Sequence, residues 1–113
     1  MSNNKIKSEG VNIKSHRLSK KEIEDNFSDL HAPLTQIEAL IEADRCYFCY
    51  DAPCTKACPS DIDVPGFIQS IRSDNVTGAA EKILSENIFG GMCARDCPTE
   101  ELCQQACVRN DHE

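Results

Sequence analysis

Tryptophan is absent from the 113 residues, and aromatic side chains make up only 5% of them. A chain this short with so few large rings has a thin core, and small domains of that kind usually need disulfides, a metal or a partner as a staple. The opening Met1 to Gly10 has no apolar h-region and no small-residue cleavage site, so it does not read as a secretory signal. No apolar run is long enough to cross a bilayer. The five glycines, Gly10, Gly66, Gly78, Gly90 and Gly91, form no G-x-G-x-x-G turn, so no dinucleotide site is evident. These absences predict a cytoplasmic protein. Thiols stay reduced there, and dense cysteine points to metal or redox chemistry rather than to disulfides.

Charge is distributed unevenly. Residues 1–21 hold six Lys/Arg against one acid, and residues 22–113 hold six against eighteen, within a net charge of −7. An acidic body argues against nucleic acid as a partner, because phosphate binding needs a basic surface. The basic residues 1–17 are polar and unpatterned, and are expected to form a flexible tail ahead of a single domain spanning 18–113.

Eight cysteines are present. Four of them lie in Cys46-x2-Cys49-x4-Cys54-x3-Cys58-Pro59, close to the bacterial ferredoxin run C-x2-C-x2-C-x3-C-P with its middle gap widened. Cys93, Cys97, Cys103 and Cys107 form a second set, and Cys97 again precedes a proline, Pro98. Cys54-x3-Cys58-Pro and Cys93-x3-Cys97-Pro are matching halves. Eight thiols suit two cubane clusters. In the bacterial run the cysteine before the proline serves the other cluster, so Cys58 is expected to leave the first cluster for the second. The distal set must then return a corner to the first.

The surrounding pattern is helical. Ser19-x-x-Glu22 and Thr35-x-x-Glu38 are capping boxes. The first predicts a helix to about Leu30 with Ile23, Phe27 and Leu30 on one face; the second predicts a helix with an Ile37, Leu40 and Ile41 stripe that leads into Cys46. Pro53 prevents one long helix through the cysteine run. Asp63 with Pro65 starts a helix that fades near Ser73, and another follows from Val76 to Glu86 with Ala79, Ala80, Ile83 and Leu84 as its buried stripe. Gly90-Gly91 reads as a turn. Pro98 to Glu101 opens a last helix to about Arg109, which would put Cys103 and Cys107 at i and i+4, with one able to serve each cluster. No strand is predicted, and the fold class is all-α.

Other readings of the cysteines are weaker. Zinc ribbons show two separated C-x2-C pairs, whereas one such gap occurs here, and His16, His31 and His112 all lie outside the cysteine region. A zinc-stapled interaction module is the alternative of a different class. Tyr47, Phe48 and Tyr50 are expected to shield a cluster, Lys56 and Arg95 to be solvated charges, and Asp51 to sit in a turn.

Ala43-Asp-Arg-Cys46, Asp51-Ala-Pro-Cys54, Ala57-Cys58-Pro59, Ile62-Asp-Val-Pro65-Gly-Phe-Ile68, Gly78-Ala-Ala80, Cys93-Ala-Arg-Asp-Cys97-Pro-Thr99 and Leu102-Cys103-x3-Cys107 resemble the N-terminal iron–sulfur domain of dihydropyrimidine dehydrogenases. The NAD-dependent electron-input subunit of the bacterial enzyme is the nearest form, and the small subunit of glutamate synthase is similar over the same region. The resemblance covers about residues 35–110. It implies an α-helical ferredoxin domain with two [4Fe–4S] clusters, one on Cys46, Cys49, Cys54 and Cys107 and the other on Cys58, Cys97 and Cys103. In the animal dehydrogenases the fourth ligand of the latter is a glutamine beyond the last cysteine. Here Cys93 is either that fourth ligand or a bystander.

The resemblance also implies FAD and NAD(P)H in a flavoprotein domain or subunit outside this sequence, and an FMN-containing catalytic subunit as acceptor. The chain is then an excised electron-relay domain or a stand-alone carrier, with no complete active site of its own.

Overall fold

In a computed structural model, residues 17–111 are described. The tail expected over 1–17 lies outside them except for Arg17, as do His16 and His112. The chain divides into two compact units, one ending at Pro33 and one beginning at Leu34. The described residues are helical with no strand, as the all-α expectation requires. None of their helices is long and apolar enough to cross a membrane.

The first unit contributes α1, Lys20–Asn26, opened by the Ser19 capping box. The Ser19 N–H donates to Glu22 Oε2 at 2.8 Å, and the Glu22 N–H donates back to Ser19 Oγ at 3.3 Å. The helix stops short of the predicted Leu30. Ser28 Oγ donates to the Asp25 carbonyl at 2.7 Å, and Phe27 and Leu30 are exposed. A local side-chain bond therefore competes with the next turn, and no buried face repays its continuation.

The second unit holds α2 (Gln36–Asp44), α3 (Pro53–Ala57), α4 (Val64–Arg72), α5 (Val76–Glu86) and α6 (Gly90–Asp96), followed by 3-10 turns at Thr99–Glu101 and Val108–Asp111. Helix α4 is the hub, packed against α5, α2 and α3. Its start is fixed by Asp63, whose Oδ1 accepts from the Gly66 N–H at 3.0 Å, with Pro65 in the first turn. The Val64 N–H reaches Thr55 Oγ1 at 3.3 Å and ties α4 to α3. Asp74 in the left-handed region (φ 57°) turns the chain, and Asn75 caps α5 through the Gly78 N–H at 2.9 Å.

Burial is sparse. Ala43, Ala52, Ile62 and Ala79 are the buried apolar residues. Of the expected α2 stripe, Leu40 is half-buried but Ile37 and Ile41 are exposed, and Ala43 is the buried residue of the helix. Polar contacts at both ends of α2 set its rotation: Gln36 Nε2 donates to Asp74 Oδ1 at 2.9 Å, and Asp44 pairs with Arg72 at 2.7 Å. On α5, Ala79 is buried and Ile83 half-buried, while Ala80 and Leu84 are exposed.

Two expectations fail. Gly90 and Gly91 begin α6 rather than form a turn. Glycine at 90 is instead needed because a Cβ there would clash with Ile83 Cγ2, which lets the start of α6 abut α5. The last helix is absent: after the 3-10 turn, Leu102 takes φ −116°, ψ −107°, and residues 102–106 form turns. Pro98 offers no side-chain cap to start a regular helix there.

Thr35→Ala should lower unfolding free energy by about 1 kcal/mol in denaturant titrations near neutral pH. Glu38, hydrogen-bonded to the Thr35 backbone and hydroxyl, titrates below its ordinary value. Its contribution is present above its unfolded value and is lost as pH falls through the folded one. The gap between Thr35→Ala and wild type should therefore narrow in acid.

Candidate metal centre

Both Cys-Pro pairs do the same thing to the backbone. Proline disfavours helical conformation in the residue before it. Accordingly α3 ends with Cys58 extended (φ −73°, ψ 122°) and α6 ends with Cys97 extended (φ −69°, ψ 126°). The Cys58 N–H donates to the Cys54 carbonyl at 3.2 Å, and the Cys97 N–H to the Cys93 carbonyl at 3.1 Å. The matching halves of the sequence are thus matching helix ends. Each leaves a cysteine extended at the helix end.

The thiols fall into groups that cross the two sequence sets. Cys46, Cys49, Cys54 and Cys107 line one cavity, completed by Tyr47, Pro53, Pro65 and Val108. Burial pushes the Cys54 thiol up; N–H groups of Thr55 and Cys54 oppose this, and charge on neighbouring Cys107 and Cys46 adds to it. Cys103 has different neighbours, Cys97 and Cys58. Burial pushes it up as well, opposed by the Gln104 and Cys103 N–H groups.

Cys103 and Cys107 were expected one above the other on a helix. Residues 102–106 form turns rather than that helix, and the two thiols have different neighbours. Cys93 has an amide partner: Asn87 Nδ2 donates to its sulfur at 3.2 Å and to Ser60 Oγ, two residues after Cys58, at 3.1 Å.

All eight thiols are free and half-buried. Soft sulfur donors against a hydrocarbon wall suit an iron–sulfur group.

The loop between Cys46 and Cys49 is under backbone strain. Phe48 adopts φ 52°, a conformation that costs an L-residue about 1–2 kcal/mol. Its N–H thereby reaches Cys46 Sγ at 3.4 Å. The sequence alone does not single out the two arginines that clasp this loop. The Arg72 guanidinium lies 5.3 Å from the centroid of the Phe48 ring, and Arg109 lies 4.8 Å from that of Tyr47. Arg109 Nη1 also donates to the Arg45 carbonyl at 2.8 Å. A cation over an aromatic ring at an exposed site contributes about 0.5–1 kcal/mol, enough to offset much of the strain. The one available signal was an arginine two residues beyond a candidate ligand, in a chain with few rings. Tyr47 lines the cavity, but Tyr50 is fully exposed and shields nothing. Lys56 is paired with Asp51, which sits in a turn as expected.

Residues 23–113 match the family described as dihydropyrimidine dehydrogenase domain II, 4Fe-4S cluster. The NAD-dependent dihydropyrimidine dehydrogenase subunit PreT of Salmonella typhimurium is 48% identical over 88 residues, which is 77% of this chain and 21% of that protein. The Escherichia coli K12 subunit of the same name is 48% identical over 87 residues, 76% of this chain and 21% of that protein. The putative oxidoreductase UacF of E. coli K12 is 30% identical over 97 residues, 85% of this chain and 15% of that protein. The chain spans about a fifth of the length of the two PreT relatives. It belongs to the dihydropyrimidine dehydrogenase 4Fe-4S domain family.

Arg109→Ala removes one ring contact and one charged hydrogen bond. It should destabilise the chain by about 1–2 kcal/mol and speed amide hydrogen exchange over residues 46–49. Unchanged exchange there would show that Arg109 does not hold the loop.

Proposed function

We propose that this member of the dihydropyrimidine dehydrogenase 4Fe-4S family carries two [4Fe–4S] clusters in residues 18–113 and relays electrons between two redox partners. Cys46, Cys49, Cys54 and Cys107 would hold one cluster. Cys58, Cys97 and Cys103 would hold the other, with its fourth corner filled from outside these seven or by Cys93. The observation that carries this reading is the crossing of thiols between sets: Cys54 keeps company with Cys107, and Cys103 with Cys58. A self-contained ferredoxin run has no use for such an exchange.

When bound, the clusters supply one-electron redox chemistry. The chain's own residues fix their surroundings. Pro59 and Pro98 end the helices at Cys58 and Cys97 and leave both cysteines in extended backbone. N–H groups of Thr55 and Gln104 point at the Cys54 and Cys103 sulfurs and favour their thiolate forms. Pro53, Pro65 and Val108 keep hydrocarbon rather than water against the first group. Because Cys54 lies in α3 and Cys58 directly follows it, this short helix would keep the two groups near each other.

The electron source in this reading is NAD(P)H by way of an FAD domain or subunit. The destination is an FMN-containing subunit that reduces a pyrimidine, in the cytoplasm. The names of the 48% identical relatives support that context, and eight free thiols suit a reducing compartment.

Anaerobic purification should give a brown chain with broad visible absorbance and about eight irons. A colourless protein with stoichiometric zinc would sink the reading. Cys107→Ala should cut iron by about half and abolish the paramagnetic signal of the reduced cluster held by Cys46, Cys49 and Cys54. Loss of the other signal instead would mean that the ligand assignment is wrong.

A further inference from the structure

Phe48 sits between two of the thiols, in a backbone conformation that a bulky L-residue avoids unless its surroundings impose it. Its N–H meets the Cys46 sulfur at 3.4 Å. The phenyl ring is half-buried under the Arg72 guanidinium at 5.3 Å. Arg72 ends α4, where a helix C-terminus favours a cation, and its Nε is fixed by Asp44 Oδ1 at 2.7 Å. Asp44 in turn ends α2, two residues before Cys46. Asp44, Arg72, Phe48 and Cys46 therefore form one continuous series of contacts from two packed helices to one sulfur.

We infer that Arg72 is a positioning residue for the Cys46 thiolate, acting through the Phe48 backbone to set the reduction potential of the cluster on Cys46, Cys49, Cys54 and Cys107. The inference rests on the ligand reading proposed above. Stacked on the ring, Arg72 holds Phe48 at positive φ and keeps its N–H aimed at the sulfur. A hydrogen bond to a ligand sulfur is stronger when the sulfur carries more negative charge, as it does once the cluster has gained an electron. The bond therefore favours the reduced state and raises the potential. Without Arg72 the ring is free, the peptide relaxes toward a commoner conformation, and the bond is lost part of the time. Arg72 itself never touches the sulfur in this scheme.

The test is a reductive titration of the full chain under anaerobic conditions, followed by electron paramagnetic resonance. The signal that Cys107→Ala abolishes identifies the first cluster, and the other cluster is an internal control. Arg72→Met should leave iron content unchanged and shift the one-electron reduction of the first cluster by up to about tenfold toward the oxidised form, which is about 59 mV. The second cluster should not move.

Glycine takes positive φ without cost and keeps the N–H. In a Phe48→Gly background, adding Arg72→Met should therefore leave the first potential where it was. An equal shift in both backgrounds would show that the guanidinium acts only as a nearby charge, and would overturn the inference. So would no shift in either. If Arg72→Met sheds iron, Arg72→Lys takes its place: it keeps the charge but not the planar group that spans ring and carboxylate. It should lower the first potential by an intermediate amount, and a wild-type potential would count against the inference. A wild-type chain without visible absorbance would defeat the two-cluster reading itself, and this inference with it.

Discussion

Hydrocarbon is scarce inside residues 34–111, and the arrangement of everything else follows from that scarcity. Three alanines and one isoleucine are buried. Apolar burial at this scale does not hold long-range contacts in register unaided, because each ordered residue costs about 1–2 kcal/mol of backbone entropy. Segments far apart in sequence are instead joined by a few polar and cationic contacts. Gln36 reaches Asp74, Arg72 reaches Asp44, Asn87 reaches Ser60, and Arg109 reaches both the Arg45 carbonyl and the Tyr47 ring. These contacts converge on the segments that carry the thiols, so the thiol groups stand where a larger domain would have its core.

The two Cys-Pro pairs show how little sequence is needed to aim a ligand. Proline stops each helix and leaves the preceding cysteine extended, with nearly the same ψ in both cases. Yet the equivalent residues one turn earlier part ways. Cys54 lies among Cys46 and Cys107, whereas Cys93 is bound to an asparagine amide. Local sequence sets the backbone of both halves alike. The difference comes from what packs beside them, the C-terminal turn in one case and the residue after α5 in the other.

That contrast also explains what could be read before the fold was known. Capping residues act over three or four positions, so the starts of α1, α2 and α4 were legible from Ser19, Thr35 and Asp63 with their partners, whereas the Asn75 cap of α5 emerges only in the structure. Cysteine spacing suggested that the sets exchange ligands, and it left open which of Cys103 and Cys107 serves which group. Helix rotation was not legible: Ile37 and Ile41 have core-like spacing, but contacts at Asp74 and Arg72 turn them outward. Gly90 looked like a turn because a glycine required by close packing is indistinguishable in sequence from one required by backbone conformation. The last segment has helical composition, and only the turn at Leu102 prevents the helix. Arg72 gave no local signal and Arg109 only its place two residues after Cys107, since each meets a ring from a distant part of the chain.

Thin core and clustered thiols are two aspects of one constraint. Burial pushes the Cys54 and Cys103 thiols up, so in the absence of a cation they favour the neutral form, and each neighbouring thiolate opposes ionisation of the next. Ligation requires the ionised forms, so protons must leave as metal enters. Backbone N–H groups at Thr55 and Gln104 ease that step but cannot cancel several like charges at short range. A multi-iron group can, because it brings positive charge to each sulfur at once. Under the proposed ligand assignment its binding free energy would become folding free energy, joining α2, α3, α6 and the C-terminal turns.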